Sequence, residues 1–516
     1  MLSTVYSSGI MGIDGFEVVV ECNNQDKLPC FEIVGLPDTA VKEAEKRIQA
    51  AIENSGFVFP DSAIVINLAP ADMKKEGSTY DMALLTSILH SAGIIKKSTD
   101  FTDKCFIGEL SMSGSFRAVR GVLSMTLCAK DKGKKEVFVP ADNAKEASVV
   151  SGVSVFPVHT LRELVEHLNG KKVITPVEFD KSIFERKRDS IKMDFADVKG
   201  QEKAKRALEI AAAGNHNVLL IGPPGTGKSM LAKRIPTILP KITFDEAVET
   251  TKIHSIAGTL PEGELIVERP FRSPHHTMSS VALAGGGRIP MPGELSLAHN
   301  GILFLDELPE FNKSATEVLR QPLEDGSITI TRAAGHFTFP STFMLVCAMN
   351  PCKCGYYGHP TKKCTCKPED IKKYISKISG PLIDRIDIQL EVSSLSYTEL
   401  SDTRPAESSE DIRQRVNKAR ARAVERFKND TTYSGKPIYS NADMTTTLIR
   451  KYCILDSDAH TLLKGAFEKL GMSARGYDRI LRVALTIADL DDSDRIQVKH
   501  IAEAIQLRSL DRKYFS

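Results

Sequence analysis

One stretch of this chain leaves little freedom of interpretation. Asn217-Val218-Leu219-Leu220-Ile221 has the apolar character of a fully buried strand, and it runs directly into Gly222-Pro223-Pro224-Gly225-Thr226-Gly227-Lys228-Ser229. Met230-Leu231-Ala232-Lys233 then opens a helical pattern. Strand, glycine-rich loop and helix in that order form a phosphate cradle. Glycines let backbone N–H groups turn inward around phosphate oxygens without a Cβ clash, and the helix N-terminus adds partial positive charge. Lys228 is placed to neutralise the β and γ phosphates, and the Ser229 hydroxyl to ligate Mg²⁺. The expected cofactors are therefore ATP and Mg²⁺.

Hydrolysis calls for a second magnesium contact and a group that activates water. Gly301-Ile302-Leu303-Phe304-Leu305-Asp306-Glu307 offers four apolar residues for a central strand, then two carboxylates at its C-terminal end. Open parallel sheets bind ligands at that end. Asp306 is expected to hold Mg²⁺ through its water shell, and Glu307 to polarise the attacking water. An Asp-Glu pair, rather than a lone Asp, favours a hydrolase over a simple nucleotide binder. A third apolar strand, Phe343 to Met349, ends in Asn350. Its side chain can reach the same water or the γ-phosphate, and capping the turn before Pro351 is a compatible alternative.

The chain has 516 residues, enough for about three domains, with 42% hydrophobic and 26% charged residues, as in ordinary globular proteins. No apolar run approaches the ~20 residues that cross a bilayer. Met1 to Cys22 lacks the basic start of a signal peptide. The expectation is a cytoplasmic protein with no membrane partner. Ten cysteines, four of them crowded into 352 to 366, do not form an evenly spaced disulfide framework. A net charge of +2 requires any nucleic-acid binding to come from local basic surface in an assembly. With no tryptophan, a broad base-stacking platform is not expected.

Three blocks are predicted. Residues 1–168 mix strands with helices: Phe16 to Glu21 and Ala63 to Leu68 read as strands, and Asp38 to Ser55 as a helical stretch capped by Asp38. Residues 169–193 are charged and aperiodic, and read as a linker. Residues 194–395 resume the strand and helix pattern, and 396–516 are mostly helical. The fold class is α/β.

The P-loop strand, the Asp-Glu strand and the Asn-ended strand, in this order, resemble an AAA+ module. The segments Arg269-Pro270-Phe271-Arg272-Ser273-Pro274-His275-His276-Thr277, Gly285-Gly286-Gly287 and Pro292-Gly293-Glu294-Leu295-Ser296-Leu297-Ala298-His299 narrow the resemblance to the magnesium-chelatase-like AAA+ proteins. Over nearly its whole length the chain is similar to the ComM/YifB family, bacterial proteins linked to natural transformation. That resemblance implies an AAA+ P-loop parallel-sheet core, a C-terminal helical lid and self-association into a hexameric ring. It also implies ATP-driven branch migration of DNA recombination intermediates, with branched or single-stranded DNA as partner. A chelatase-like or chaperone-like motor acting on a protein client is the alternative.

The resemblance extends to single residues. Gly380-Pro381-Leu382-Ile383-Asp384-Arg385-Ile386-Asp387 looks like the arginine-finger segment, which gives Arg385 the role of stabilising transition-state charge in a neighbouring subunit's site. Ser473-Ala474-Arg475 resembles the second sensor, placing Arg475 on the γ-phosphate. A surface salt bridge is the plainer role for either. Residues 253–290 correspond to the helix-two insert facing the ring pore. Gly326 to Phe337 reads as a hairpin turning at Ala333-Ala334-Gly335, with Arg332 and His336 as candidates for DNA phosphate contacts, or with Arg332 at a subunit interface.

The first block resembles the Lon-protease-like fold. Pro70 to Thr79 parallels the loop bearing Lon's serine nucleophile, which falls on Thr79 here. Where Lon carries its lysine base, this chain runs Gly121-Val122-Leu123-Ser124-Met125. Without a lysine to activate a hydroxyl, a binding or scaffolding domain is expected rather than a protease.

Two further features are read from the residues. Cys352-Lys353-Cys354 and Cys364-Thr365-Cys366 can complete a tetrahedral Zn²⁺ site, with His359 as a substitute ligand and four metal-free thiols as the alternative. Arg413-Gln414-Arg415 to Arg420-Ala421-Arg422 is a helix with a cationic face, either a solvated surface or a DNA track.

Overall fold

A computed structural model describes residues 1–516 apart from 187–192, 288–289, 333–334, 360, 396, 402–405, 434, 436, 511–513 and 516. Its central element is a five-stranded sheet in the order Phe271–Arg272, Ile302–Leu305, Met344–Met349, Val218–Ile221, Ile388–Glu391. Every neighbouring pair is parallel, with Leu219 opposite Cys347 and Val218 opposite Ile388. Val218–Ile221 and Met344–Met349 are buried along their whole length. Helices cover both faces of such a sheet, which is why its strands read as continuous apolar runs rather than alternating ones. The first strand in sequence among the long ones, Val218–Ile221, lies between two later ones, so its loop opens at a switch point of the strand order. Ligands bind there in open α/β sheets.

The helical C-terminal region consists mainly of Ser409–Arg426, Thr446–Tyr452, Ser457–Leu470, Ala474–Leu490 and Val498–Gln506. It does not form a core of its own. Ile480, Leu485 and Ile501 share one hydrophobic cluster with Leu208, Val218 and Val346 of the sheet module. The expected cationic face of Ser409–Arg426 is largely taken up by acids and carbonyls. Arg415 pairs with Glu209 and Glu407, Arg422 with Asp492 and Asp494, and Arg426 with Asp489. Arg420 is turned onto the Ala212 carbonyl at 2.9 Å.

The N-terminal block holds a four-stranded sheet ordered Leu2–Met11, Asp14–Gln25, Ala63–Ala69, Cys30–Val34. Beside it lies a parallel sheet of Lys104–Phe106, Glu136–Pro140 and Ser154–Val158. The helix Asp81–Ser91 is buried along its whole length between them. The helical stretch after Asp38 is two helices, Thr39–Lys42 and Ala44–Asn54, with Glu43 between them; the Asp38 carboxylate caps the first by accepting Val41 N–H at 2.8 Å.

Part of the expected linker packs against the folded body. Ile174 is buried in the N-terminal core, Val177 bridges to Val155, and Phe179 and Phe184 lie near Phe244. The remainder of that linker, from 187 to 192, lies outside the described residues.

The two large blocks meet along the helix Phe244–Ala257, which rests on the helix Val122–Asp131. Leu123, Val149 and Val150 from the first share an apolar cluster with Ile242, Ala247 and Leu265 from the second. Ser255 accepts the Gly121 N–H at 2.8 Å and donates its hydroxyl to Glu146, whose pKa is raised by burial despite those donors. Lys252 and Asp14 pair at the rim, at 3.0 Å.

Candidate nucleotide site

The P-loop owes its shape to three glycines. Gly225 and Gly227 adopt φ of +78° and +88°, in the left-handed region where a side chain is strained. A Cβ on Gly222 would sit 2.2 Å from the Val392 carbonyl oxygen, so the loop passes too close to the neighbouring strand for any other residue. The helix Lys228–Ile238 starts directly after Gly227. Around it lies a cavity of about 410 Å³, lined by Pro224, Gly225, Thr226, Gly227, Lys228, Ser229, Met230, Asp306, Glu307, Met349 and Asn350.

The three strand ends converge on this cavity. Lys228 is buried, and its ammonium donates to the carbonyls of Gly222 (2.7 Å) and Pro223 (2.8 Å) and to Asn350 Oδ1 (3.2 Å). Burial lowers its pKa, against an upward pull from Asp306 and Glu307. Thr226 Oγ1 donates to the Pro223 carbonyl at 2.9 Å, bracing the turn. The Ser229 hydroxyl donates to Asp306 Oδ2 at 2.6 Å. A hydroxyl beside a carboxylate is a hard oxygen pair of the kind Mg²⁺ takes alongside phosphate oxygens and water, so the donor set fits the ion. Glu307 is exposed and holds φ of +53°, which is uncommon for a non-glycine residue. Its Oε2 lies 3.6 Å from His276 Nδ1. That histidine went unassigned in the sequence, where it appears only as part of a shared segment with no chemical pattern of its own.

Arg385 and Arg475 do not line this cavity. They lie near each other: Arg385 has its pKa lowered first by burial and then by the charges of Arg475, Arg479 and Arg320. Arg385 donates to the Pro381 carbonyl at 2.6 Å and to Glu324. Arg475 is exposed, at the start of the helix Ala474–Leu490. Arg479 pairs at 2.8 Å with the buried Asp387, and Arg482 donates to the Met444 carbonyl.

The expected insert over 253–290 contains a piece of the core sheet. Phe271–Arg272 is its edge strand, and Arg272 is held by Glu294 at 2.6 and 2.7 Å. The excursion beyond that strand consists of the helix Ser280–Ala284 and the short pair Gly285–Gly286 with Met291–Pro292. The expected hairpin is present as Ser327–Arg332 against Gly335–Pro340. Its expected turn residues Ala333 and Ala334 lie outside the described residues. Arg332 is exposed beside the excursion, with Nε 3.4 Å from the Gly287 carbonyl. His336 is exposed, with Nδ1 3.0 Å from Thr331 Oγ1.

In the N-terminal block, Thr79 is half-buried, and the neighbouring Ser78 hydroxyl donates to Glu109. The nearby Lys75 is fully buried with its ammonium on the Pro70 carbonyl. All four cysteines of the loop after Asn350 come together, whereas His359 turns away to Ser394 at 3.2 Å. No helix among the described residues is long and apolar enough to cross a membrane.

Sheet order, P-loop and carboxylate pair define the nucleotide-binding module of a magnesium-chelatase-like AAA+ protein. The family model for magnesium chelatase, subunit ChlI, matches residues 194–400; the one for subunit ChlI of Mg-chelatase matches 20–143; and the subunit ChlI C-terminal model matches 406–508. Among individual proteins, the chain is 41% identical over 513 residues to competence protein ComM of Haemophilus influenzae, covering 99% of this chain and 98% of that one. It is 40% identical over 512 residues to the uncharacterised protein YifB of Escherichia coli, with the same coverage. An uncharacterised protein of Mycobacterium tuberculosis is 40% identical over 514 residues, covering 98% of both chains. The chain belongs to the ComM/YifB family.

Proposed function

We propose that this chain is an ATP-driven motor that works as a hexameric ring on branched DNA, moving the branch point of recombination intermediates. The observation that carries the reading is the convergence of Lys228, Ser229, Asp306, Glu307 and Asn350 on one cavity in a protein that matches a competence protein end to end. In this reading Lys228 and the P-loop amides bind the phosphates, while Ser229 and Asp306 hold Mg²⁺, which supplies charge neutralisation when bound. Glu307 takes the proton of the attacking water, and His276 at 3.6 Å holds the carboxylate in place. Asn350 keeps Lys228 or the γ-phosphate in register. Arg385 and Arg475, grouped together and away from their own chain's cavity, act on the nucleotide of an adjacent subunit. Arg332 and His336, at the end of the exposed hairpin, contact DNA phosphates.

The deciding experiment is conversion of a four-way DNA junction to duplex products with and without ATP, with Lys228→Ala as control. ATP-dependent conversion that the variant lacks supports the motor on DNA. ATP hydrolysis with the junction left intact overturns the DNA assignment. It would favour the second reading, a remodeller of a protein client, which the chelatase-subunit family models support. The lack of a lysine in 121–125 supports a scaffolding role for the N-terminal block, and ATP-dependent cleavage of casein would overturn that role.

A further inference from the structure

The loop between Asn350 and the helix Pro368–Ile375 carries chemistry that nucleotide hydrolysis does not use. The Sγ atoms of Cys352, Cys354, Cys364 and Cys366 all lie within 4.8 Å of one another. Cys352 is 3.4 Å from Cys354 and 3.7 Å from Cys364, and Cys354 is 3.6 Å from Cys364. These spacings are far beyond the ~2.05 Å of a disulfide. One tetrahedral Zn²⁺ with Zn–S bonds of ~2.3 Å places its sulfurs about 3.8 Å apart, close to what is observed. A polynuclear iron–sulfur cluster puts several iron and sulfide atoms between its cysteines, and there is no room for them here.

The same loop abuts the nucleotide site at two points. Gly355, with φ of +84°, lies so close to Pro224 of the P-loop that a Cβ would come within 2.6 Å of its Cδ. Asn350, two residues before Cys352, accepts the Lys228 ammonium at 3.2 Å. Four metal–sulfur bonds would hold this loop more firmly than the weak hydrogen bonds the thiols make with one another.

We propose that Cys352, Cys354, Cys364 and Cys366 hold one zinc ion, and that this ion presses the loop onto the P-loop so that metal occupancy sets nucleotide affinity. Binding releases the thiol protons to solvent and needs no oxidant or reductant. The proposal does not depend on DNA being the substrate.

The test uses the full-length chain purified under reducing conditions without chelator. Elemental analysis should find about one zinc per chain, and close to none in Cys364→Ser/Cys366→Ser. Removing the metal from wild type with a chelator, then dialysing the chelator away, should weaken binding of a fluorescent ATP analogue on the order of tenfold. A single equivalent of zinc should restore it, an arm that is unaffected if the double variant fails to fold. Wild type that contains no zinc and takes up none, or that holds iron instead, overturns the site. Zinc that can be removed with no change in nucleotide affinity overturns its link to the P-loop.

Discussion

The Ser229 hydroxyl and the Asp306 carboxylate touch at 2.6 Å, although they lie 77 residues apart in the chain. One belongs to the helix after the P-loop and the other to the end of a strand two places along the sheet. Their closeness separates two kinds of defect. Asp306→Asn should weaken Mg²⁺-dependent nucleotide binding and abolish ATP turnover with it. Glu307→Gln should leave binding intact and lower kcat by about 10² to 10⁴, the usual contribution of a general base. Titrating a fluorescent ATP analogue alongside steady-state ATPase assays distinguishes the two.

The grouping of Arg385 with Arg475, outside the cavity of their own chain, predicts complementation between inactive subunits. Arg385→Ala alone should lower ATPase activity by about 10³ or more, as arginine fingers do. Lys228→Ala should be inactive for a different reason. Mixed in equal parts, the two should regain a measurable fraction of wild-type activity, because some interfaces pair an intact P-loop with an intact arginine. Mixtures no more active than their components would place Arg385 outside the reaction.

A buried ion pair in the N-terminal block predicts a pH-dependent stability difference. Asp81, 1% exposed, forms a two-pronged pair with Arg47 at 3.0 Å, and burial raises its pKa to about 6 while Arg47 pulls it down. Because the folded value is above the ordinary one near 3.8, the folded state holds the proton more tightly. The charged carboxylate is therefore a burden above pH 6 that lifts as pH falls toward 4. Arg47→Met removes the compensating cation and should cost about 3 kcal/mol at pH 8. The cost should shrink at pH 5, where the acid is largely neutral. Melting temperatures of both proteins at the two pH values check this, and an equal gap at both would exclude Asp81 as the responsible group.

Docking of the two blocks is expected to be sensitive to a single methyl group. A Cβ on Gly121, at a φ of +73°, would press on Ile256 Cγ1 of the facing block at 3.2 Å and lie 2.0 Å from Ile10 Cδ1 of its own block. Gly121→Ala should lower stability by about 1 to 3 kcal/mol, through both strain and overpacking. Ser255→Ala leaves the buried Glu146 without its hydroxyl donor and should cost a comparable amount. Denaturant unfolding with separate reporters in each block would show whether the blocks come apart before either melts.

Much of the site was legible because its chemistry is local. A P-loop is eight consecutive residues, and the Asp306-Glu307 pair directly follows its own apolar strand. The four cysteines also lie close in sequence. The edge strand Phe271–Arg272 was not legible, since two residues flanked by prolines carry no periodicity. Nor was the break at Glu43, because the apolar spacing continues across it. Most partners of Arg415, Arg422 and Arg426 (Glu209, Asp489, Asp492 and Asp494) are carboxylates distant in sequence, so their charge looked free in one dimension. His276 was missed for the same reason: its relation to Glu307 exists only once the chain has folded.

The contact between Gly121 and Ser255 has a consequence for what this protein can become. All five positions from Gly121 to Met125 are buried, and the segment is spent on holding the helix Phe244–Ala257. A lysine placed there would have to displace Ile10, the Leu123 cluster or the hydrogen bond from Ser124 to the Ile13 carbonyl. A lysine here would therefore come at the expense of the joint between the two blocks, so this stretch of chain can serve the joint or a hydrolytic base but not both.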